Sequence, residues 1–176
     1  MNVCEVIQNL TIGVVSGIFS GVMVSLVFYI LGEYQNELEN AKEIIKPLNE
    51  VIILEKIISK DVVKSNEEIM QIIRADIDEV AMNLNPSIYK YSLRPIMFGI
   101  SEIITNGQYY KREGRELIFD ESKLHDFSLT MKSKLDSLAR YENNFRRGFT
   151  ERIIKNKYMM IMVCIVIVMI ALVIIA

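Results

Sequence analysis

The sequence predicts an all-α protein in which two terminal transmembrane helices enclose a cytoplasmic helical domain, joined to the spans by an antiparallel juxtamembrane stalk. Three observations lead there. Two long apolar runs without a charged side chain, 6–32 and 158–176, lie near the two ends of the 176-residue chain. Each reaches the roughly 20 residues that a helix needs to cross a bilayer. All 20 Lys and Arg residues lie between the runs, in a segment whose apolar residues recur with helical period. The predicted boundaries are an external N-terminal tail over 1–9, a first span over 10–31, a domain over 32–157 and a second span over 158–176. Within the domain, stalk helices are expected over 33–46 and 122–157.

The first span carries the sharpest motif. Gly13, Gly17 and Gly21 are spaced four apart, Ser25 continues the row, and Ser16 and Ser20 lie beside it. Residues four apart share a helix face. In lipid no hydrophobic force drives helices together, so a groove of small residues gains its dispersion contacts by close backbone approach. Two partners are open for that groove: the second span of the same chain, or another copy of the protein. With Asn9, Ser16 and Ser20 turned inward, the same face could also line a weakly selective pore. The second span is a block of Ile, Val, Met and Leu without Gly or Pro, which suits a helix facing lipid on most sides.

After the first span, Tyr34, Leu38, Ala41 and Ile45 continue one helical face until Pro47, which is expected to end or kink the helix. The run 48–58 is apolar enough to be buried. Ser65 and Glu68 have the spacing of a capping box. From there Ile69, Ile72, Ile73, Ile77, Val80, Ala81 and Leu84 make an apolar stripe that Asn85-Pro86 stops. A further helix is expected over 95–105, ended by a glycine cap at Asn106-Gly107, then a loop or short hairpin to Asp120. Asp120 or Ser122 can cap the last helix. Only Gly148 interrupts the run that follows, so one long helix is expected to continue into the second span. Leu124, Met131, Leu135, Leu138, Phe145 and Phe149 approximate a coiled-coil seam along it.

Lys and Arg near the spans set orientation. Arg140, Arg146, Arg147, Arg152, Lys155 and Lys157 precede the second span, and Lys42 and Lys46 follow the first, while the outer tails have none. The domain is therefore placed in the cytoplasm with both termini outside, in the inner membrane. Tyr29, Tyr34 and Tyr158 fit one interfacial belt. If the stalk helices leave the membrane together, Glu33 is level with Lys157, Glu37 with Arg152 and Glu43 with Arg147. Such exposed pairs contribute about 0.2–1 kcal/mol each and mainly fix register. The basic cluster could equally contact anionic lipid headgroups. The N-terminal MNVCE carries no Lys or Arg and its apolar run exceeds a signal-peptide core, so a retained span is expected.

A net charge of −2 gives no reason to expect nucleic acid. Two cysteines cannot form a disulfide framework. Cys164 reads as a small apolar filler, and Cys4 could cross-link copies in an oxidising compartment. The single histidine, His125, reads as a surface or packing residue. P-loop, paired-Cys and nucleophile-elbow motifs are absent. The segment Ile100, Ser101, Glu102, Ile103, Ile104, Thr105, Asn106 resembles the Asn-bearing helix of histidine-kinase-type ATPases, where a Glu and an Asn four apart contact a nucleotide-bound metal. The resemblance would assign Glu102 and Asn106, but the glycine-rich boxes of that family are missing downstream. No catalytic residue, cofactor or metal is expected.

These readings converge on a non-enzymatic membrane protein whose partners are the bilayer, further copies of itself and a cytoplasmic protein or signal. It would assemble through the first span and alter the membrane, as a pore-forming effector in stress or anti-phage defence would. The alternative is a membrane-tethered adaptor or scaffold whose domain binds a protein partner near Tyr89, Tyr91, Tyr109 and Tyr110.

Overall fold

The computed structural model describes residues 3–58, 67–107, 110–113 and 116–175. The regular structure of the described residues is helical apart from one hairpin. In order, the elements are α1 (Val3–Ile58), α2 (Glu67–Asn83), a 3-10 turn (Pro86–Ile88), α3 (Leu93–Asn106), β1 (Tyr110–Glu113), β2 (Glu116–Phe119), α4 (Glu121–Asn143), α5 (Phe145–Lys155) and α6 (Lys157–Ile175). They form two compact units, one of 1–36 with 146–176 and one of 37–145.

In the second unit, one apolar core joins four helices. Ala41, Ile45, Leu48, Val51, Ile52 and Ile58 come from α1, and Ile73, Ile77 and Val80 from α2. Leu93, Met97, Ile100 and Ile104 come from α3, and Leu124, Phe127, Met131 and Leu138 from α4. The stripe expected on α2 is buried at its centre, while Ile72 and Ala81 are exposed. Burying a Leu- or Ile-sized side chain contributes about 1.5–3 kcal/mol, so this core is what holds the bundle. It also explains why α1 passes through Pro47 instead of ending there. An interior proline costs about 3 kcal/mol. The buried row Ala41, Ile45, Leu48, Val51 and Ile52 lies on both sides of it and outweighs that cost.

The last helix is not continuous. It breaks at Asn144 and again at Asn156, while Gly148 lies inside α5. Asn side chains compete with the helix for backbone bonds. Asn156 does so directly: its Oδ1 accepts the backbone N–H of Tyr158 at 3.0 Å and of Met159 at 3.2 Å, capping α6 afresh. At the other end of α4, the Asp120 carboxylate accepts the Lys123 backbone N–H and the Ser122 hydroxyl, as a cap should. Burial along α4 follows the expected seam at Leu124, Met131 and Leu138, and Phe145 beyond it is exposed.

β1 and β2 pair antiparallel, Tyr110 opposite Phe119 and Glu113 opposite Glu116, so the hairpin alternative holds between α3 and α4. The proposed capping residue Ser65 and the aromatic Tyr109 lie outside the described residues. α3 ends at Asn106, but Gly107 is extended, with φ −67°, and not a left-handed cap. α1 is already helical at Val3, within the predicted tail.

By length and composition one helix of the described residues can cross a membrane: α1, over 10–58. The apolar part of α6 searched on the same terms, Lys157–Met169, is too short to pass, although α6 itself runs 19 residues to Ile175. Among the described residues, length and composition thus show one span and not two.

Candidate functional site

The first unit presents its apolar surface outward. On α1, Ile18 and Phe28 are each 65% exposed, and Leu10, Ile12, Val14 and Val24 are exposed with them. The half-buried positions Phe19, Met23, Leu26 and Val27 lead into buried Ile30 and Tyr34. Their spacing of three and four residues marks one face. On α6 and the end of α5, Met159 and Arg152 are buried and Met162 and Val166 half-buried. The Arg152 guanidinium lies 4.9 Å from the centroid of the Tyr34 ring, a cation–π contact that closes this packed seam.

The small-residue row lies on a different side of α1. A Cβ built on Gly13, Gly17 or Gly21 would meet nothing within 4 Å among the described residues. Ser16, Ser20 and Ser25 are exposed like the glycines. Ser16 donates its hydroxyl proton to the Gly13 carbonyl at 3.0 Å, so that polar group is satisfied within the helix. Of the two partners left open for this groove, no described side chain of α6 comes within 4 Å of the three positions. Cys164 is exposed on α6 and not packed as a filler.

The charged residues separate by role. Arg146, Arg147, Lys155 and Lys157 are exposed, and Arg152 is 1% exposed. Lys155 pairs with Glu151 at 2.7 Å, and Lys157 stands 4.9 Å over the Tyr158 ring. Glu33 is half-buried.

Within the second unit, α1 and α4 run antiparallel. Lys42 pairs with Glu142 at 2.7 Å, and further along α1 the Glu55 carboxylate meets His125 Nδ1 at 2.7 Å. Between them an open groove of about 620 Å³ is lined by Glu39, Glu43, Lys46, Leu135 and Leu138, among others. Sequence reasoning missed both pairs. His125 is more than a surface residue, since it is the partner of a buried carboxylate. Glu37 accepts the Lys90 backbone N–H at 3.2 Å and so helps hold the turn before α3.

That turn carries two of the aromatic residues assigned to an adaptor surface. Tyr89 is 1% exposed and belongs to the core, so it presents no docking surface. Burial first, then the Glu37 carboxylate, pushes its hydroxyl above the ordinary tyrosine value. Tyr91 is half-buried and holds a left-handed φ of 51°. Glu102 and Asn106, the pair singled out by the ATPase-like segment, are both exposed, and Asn106 borders a shallow cleft of about 290 Å³ with Lys123 and Asp126. Among the described residues no group of three or more His, Cys, Asp and Glu is placed to hold a metal ion.

Comparison with known protein families, curated proteins and solved structures finds no match to this chain.

Proposed function

We propose that this chain is a non-enzymatic integral membrane protein that self-associates through the Gly13, Gly17, Gly21, Ser25 face of α1. The observation that carries the reading is the open groove: three glycines in register with nothing within 4 Å among the described residues, on a helix of outward-facing apolar side chains. In lipid such a face gains little from acyl chains and more from the backbone of a second helix. α6, with 19 residues and no charged side chain after Lys157, is the second span in this reading. The Lys and Arg distribution then puts the helical domain in the cytoplasm of an inner-membrane protein, with both termini outside. The domain receives a signal or partner, and assembly of the spans alters the membrane, as a defence or stress effector would.

The test is energy transfer between donor- and acceptor-labelled copies of the whole chain in lipid vesicles. Transfer that rises with the protein-to-lipid ratio and collapses in Gly17→Leu is expected. Transfer equal to random proximity in both proteins would leave the adaptor reading, in which the spans only anchor the domain.

A further inference from the structure

The basic cluster before α6 divides in two. Residues 146–157 hold five basic side chains and one acidic one, in a chain whose net charge is −2. Arg152 is withdrawn into the seam against Tyr34. That same contact brings α5 against α1 at Tyr34, just beyond the apolar run of α1. α5 is eleven residues long and so spans about 16 Å. Arg146 and Arg147 stand at its far end, about 12–14 Å along the helix from Lys155. With Lys155 at headgroup depth and α5 directed away from the bilayer, they lie beyond the roughly 8 Å over which a surface potential persists at physiological salt. Lys155 and Lys157 stand at its near end, on either side of the Asn156 break, with exposed Tyr158 next to them. Lys157 lies in the first turn of α6 because Asn156 caps that helix anew. An exposed tyrosine with a lysine over its ring, at the boundary of an apolar helix, is the side-chain set that sits at headgroup depth.

We propose that Lys155 and Lys157, bracketing Asn156, form a seat for the phosphate of anionic phospholipid headgroups, and that Arg146 and Arg147 take no part in it. The inference rests on α6 being embedded in the bilayer. Lys155 already holds the Glu151 carboxylate at 2.7 Å, so a headgroup phosphate competes with Glu151 for the same ammonium group. Two strongly hydrated point charges beside one aromatic ring select charge, not headgroup shape. The seat therefore favours anionic over zwitterionic lipid.

The chain contains no tryptophan, so Tyr158→Trp gives a single reporter at the seat. The full-length protein is placed in vesicles of brominated phosphatidylcholine with increasing unbrominated phosphatidylglycerol, and quenching of the tryptophan gives the relative affinity of the two lipids. A preference for phosphatidylglycerol of at least about fivefold is expected, fivefold being the effect of a single basic side chain near an anionic surface. It should fall to parity in Lys155→Gln with Lys157→Gln, persist in Arg146→Gln with Arg147→Gln, and increase in Glu151→Gln. Equal affinity in the parent, or a preference that survives loss of the lysines, overturns the proposal. Absence of any quenching by brominated phosphatidylcholine would instead remove α6 from the bilayer, and the seat with it.

Discussion

A Cβ on Gly107 would lie 2.7 Å from the Ile103 carbonyl oxygen and 3.1 Å from the Phe127 ring. Its φ of −67° suits any residue, so glycine is required here by close approach and not by backbone conformation. Gly107→Ala is expected to cost about 1–3 kcal/mol, seen as a lower thermal midpoint of the helical domain. The Tyr89 hydroxyl, by contrast, is buried without a hydrogen-bond partner among the described residues. Removing it leaves nothing unsatisfied, so Tyr89→Phe should be neutral or stabilising at pH 7. Its raised pKa supplies a second signature. A group that binds its proton more tightly when folded contributes fully below the ordinary value of 10.0 and loses that contribution as pH rises through the folded value. Alkaline melting of the parent should therefore start near pH 10, and Tyr89→Phe should be less sensitive across that window.

At the scale of elements, α1 and α2 bring three carboxylates together. Asp76 is raised above the ordinary 3.8 by burial first, then by Glu50 and Glu79, and its Oδ2 lacks a hydrogen-bond partner among the described residues. The sign follows as for Tyr89: the protonated form stabilises below 3.8, and that contribution is lost as pH rises through the folded value. At neutral pH the ionised group opposes folding. Asp76→Asn should raise the melting temperature at pH 7, with the gain vanishing in acid below the ordinary value. The α5–α6 junction makes a different prediction. Asn156→Ala removes the cap from α6 and should cost about 1 kcal/mol, read as roughly fivefold faster amide exchange at Tyr158 and Met159.

These elements also mark what the sequence could reveal. Apolar period placed the buried stripes of α1, α2 and α4, because burial is set by side chains that the pattern lists directly. Breaks were harder. Pro47 signals a stop, but core residues contributed by three other helices hold α1 through it. Asn144 and Asn156 look ordinary in a polar stretch, and Asn156 acts only through the backbone groups it reaches. The Lys42–Glu142 and Glu55–His125 pairs depend on the register of two helices far apart in sequence. The same holds for Gly107, whose neighbour Phe127 comes from α4. For the candidate assembly face, the row of small residues was legible. Whether the chain's own second apolar helix fills it was not, because that depends on which side of α1 the seam of Phe19, Met23, Ile30 and Tyr34 selects.

The whole molecule comprises an exposed apolar unit and a helical bundle held by its own core. Large apolar side chains are exposed along most of α1 between Leu10 and Tyr29, far beyond the scattered exposure ordinary for a soluble surface. A bilayer covers such a surface on most sides, and the open glycine row is where a second helix gains most by close approach. Replacing Gly17 with Leu fills that groove, and among the described residues nothing lies within 4 Å of the new Cβ position. The substitution therefore separates assembly from folding. The most direct measurement is the particle mass of the intact chain in lipid nanodiscs large enough for several copies, with Gly17→Leu measured beside it. A defined oligomer that becomes monomer in Gly17→Leu, with helical content unchanged, is the predicted result. A monomer in both, or an oligomer that Gly17→Leu leaves intact, would contradict it.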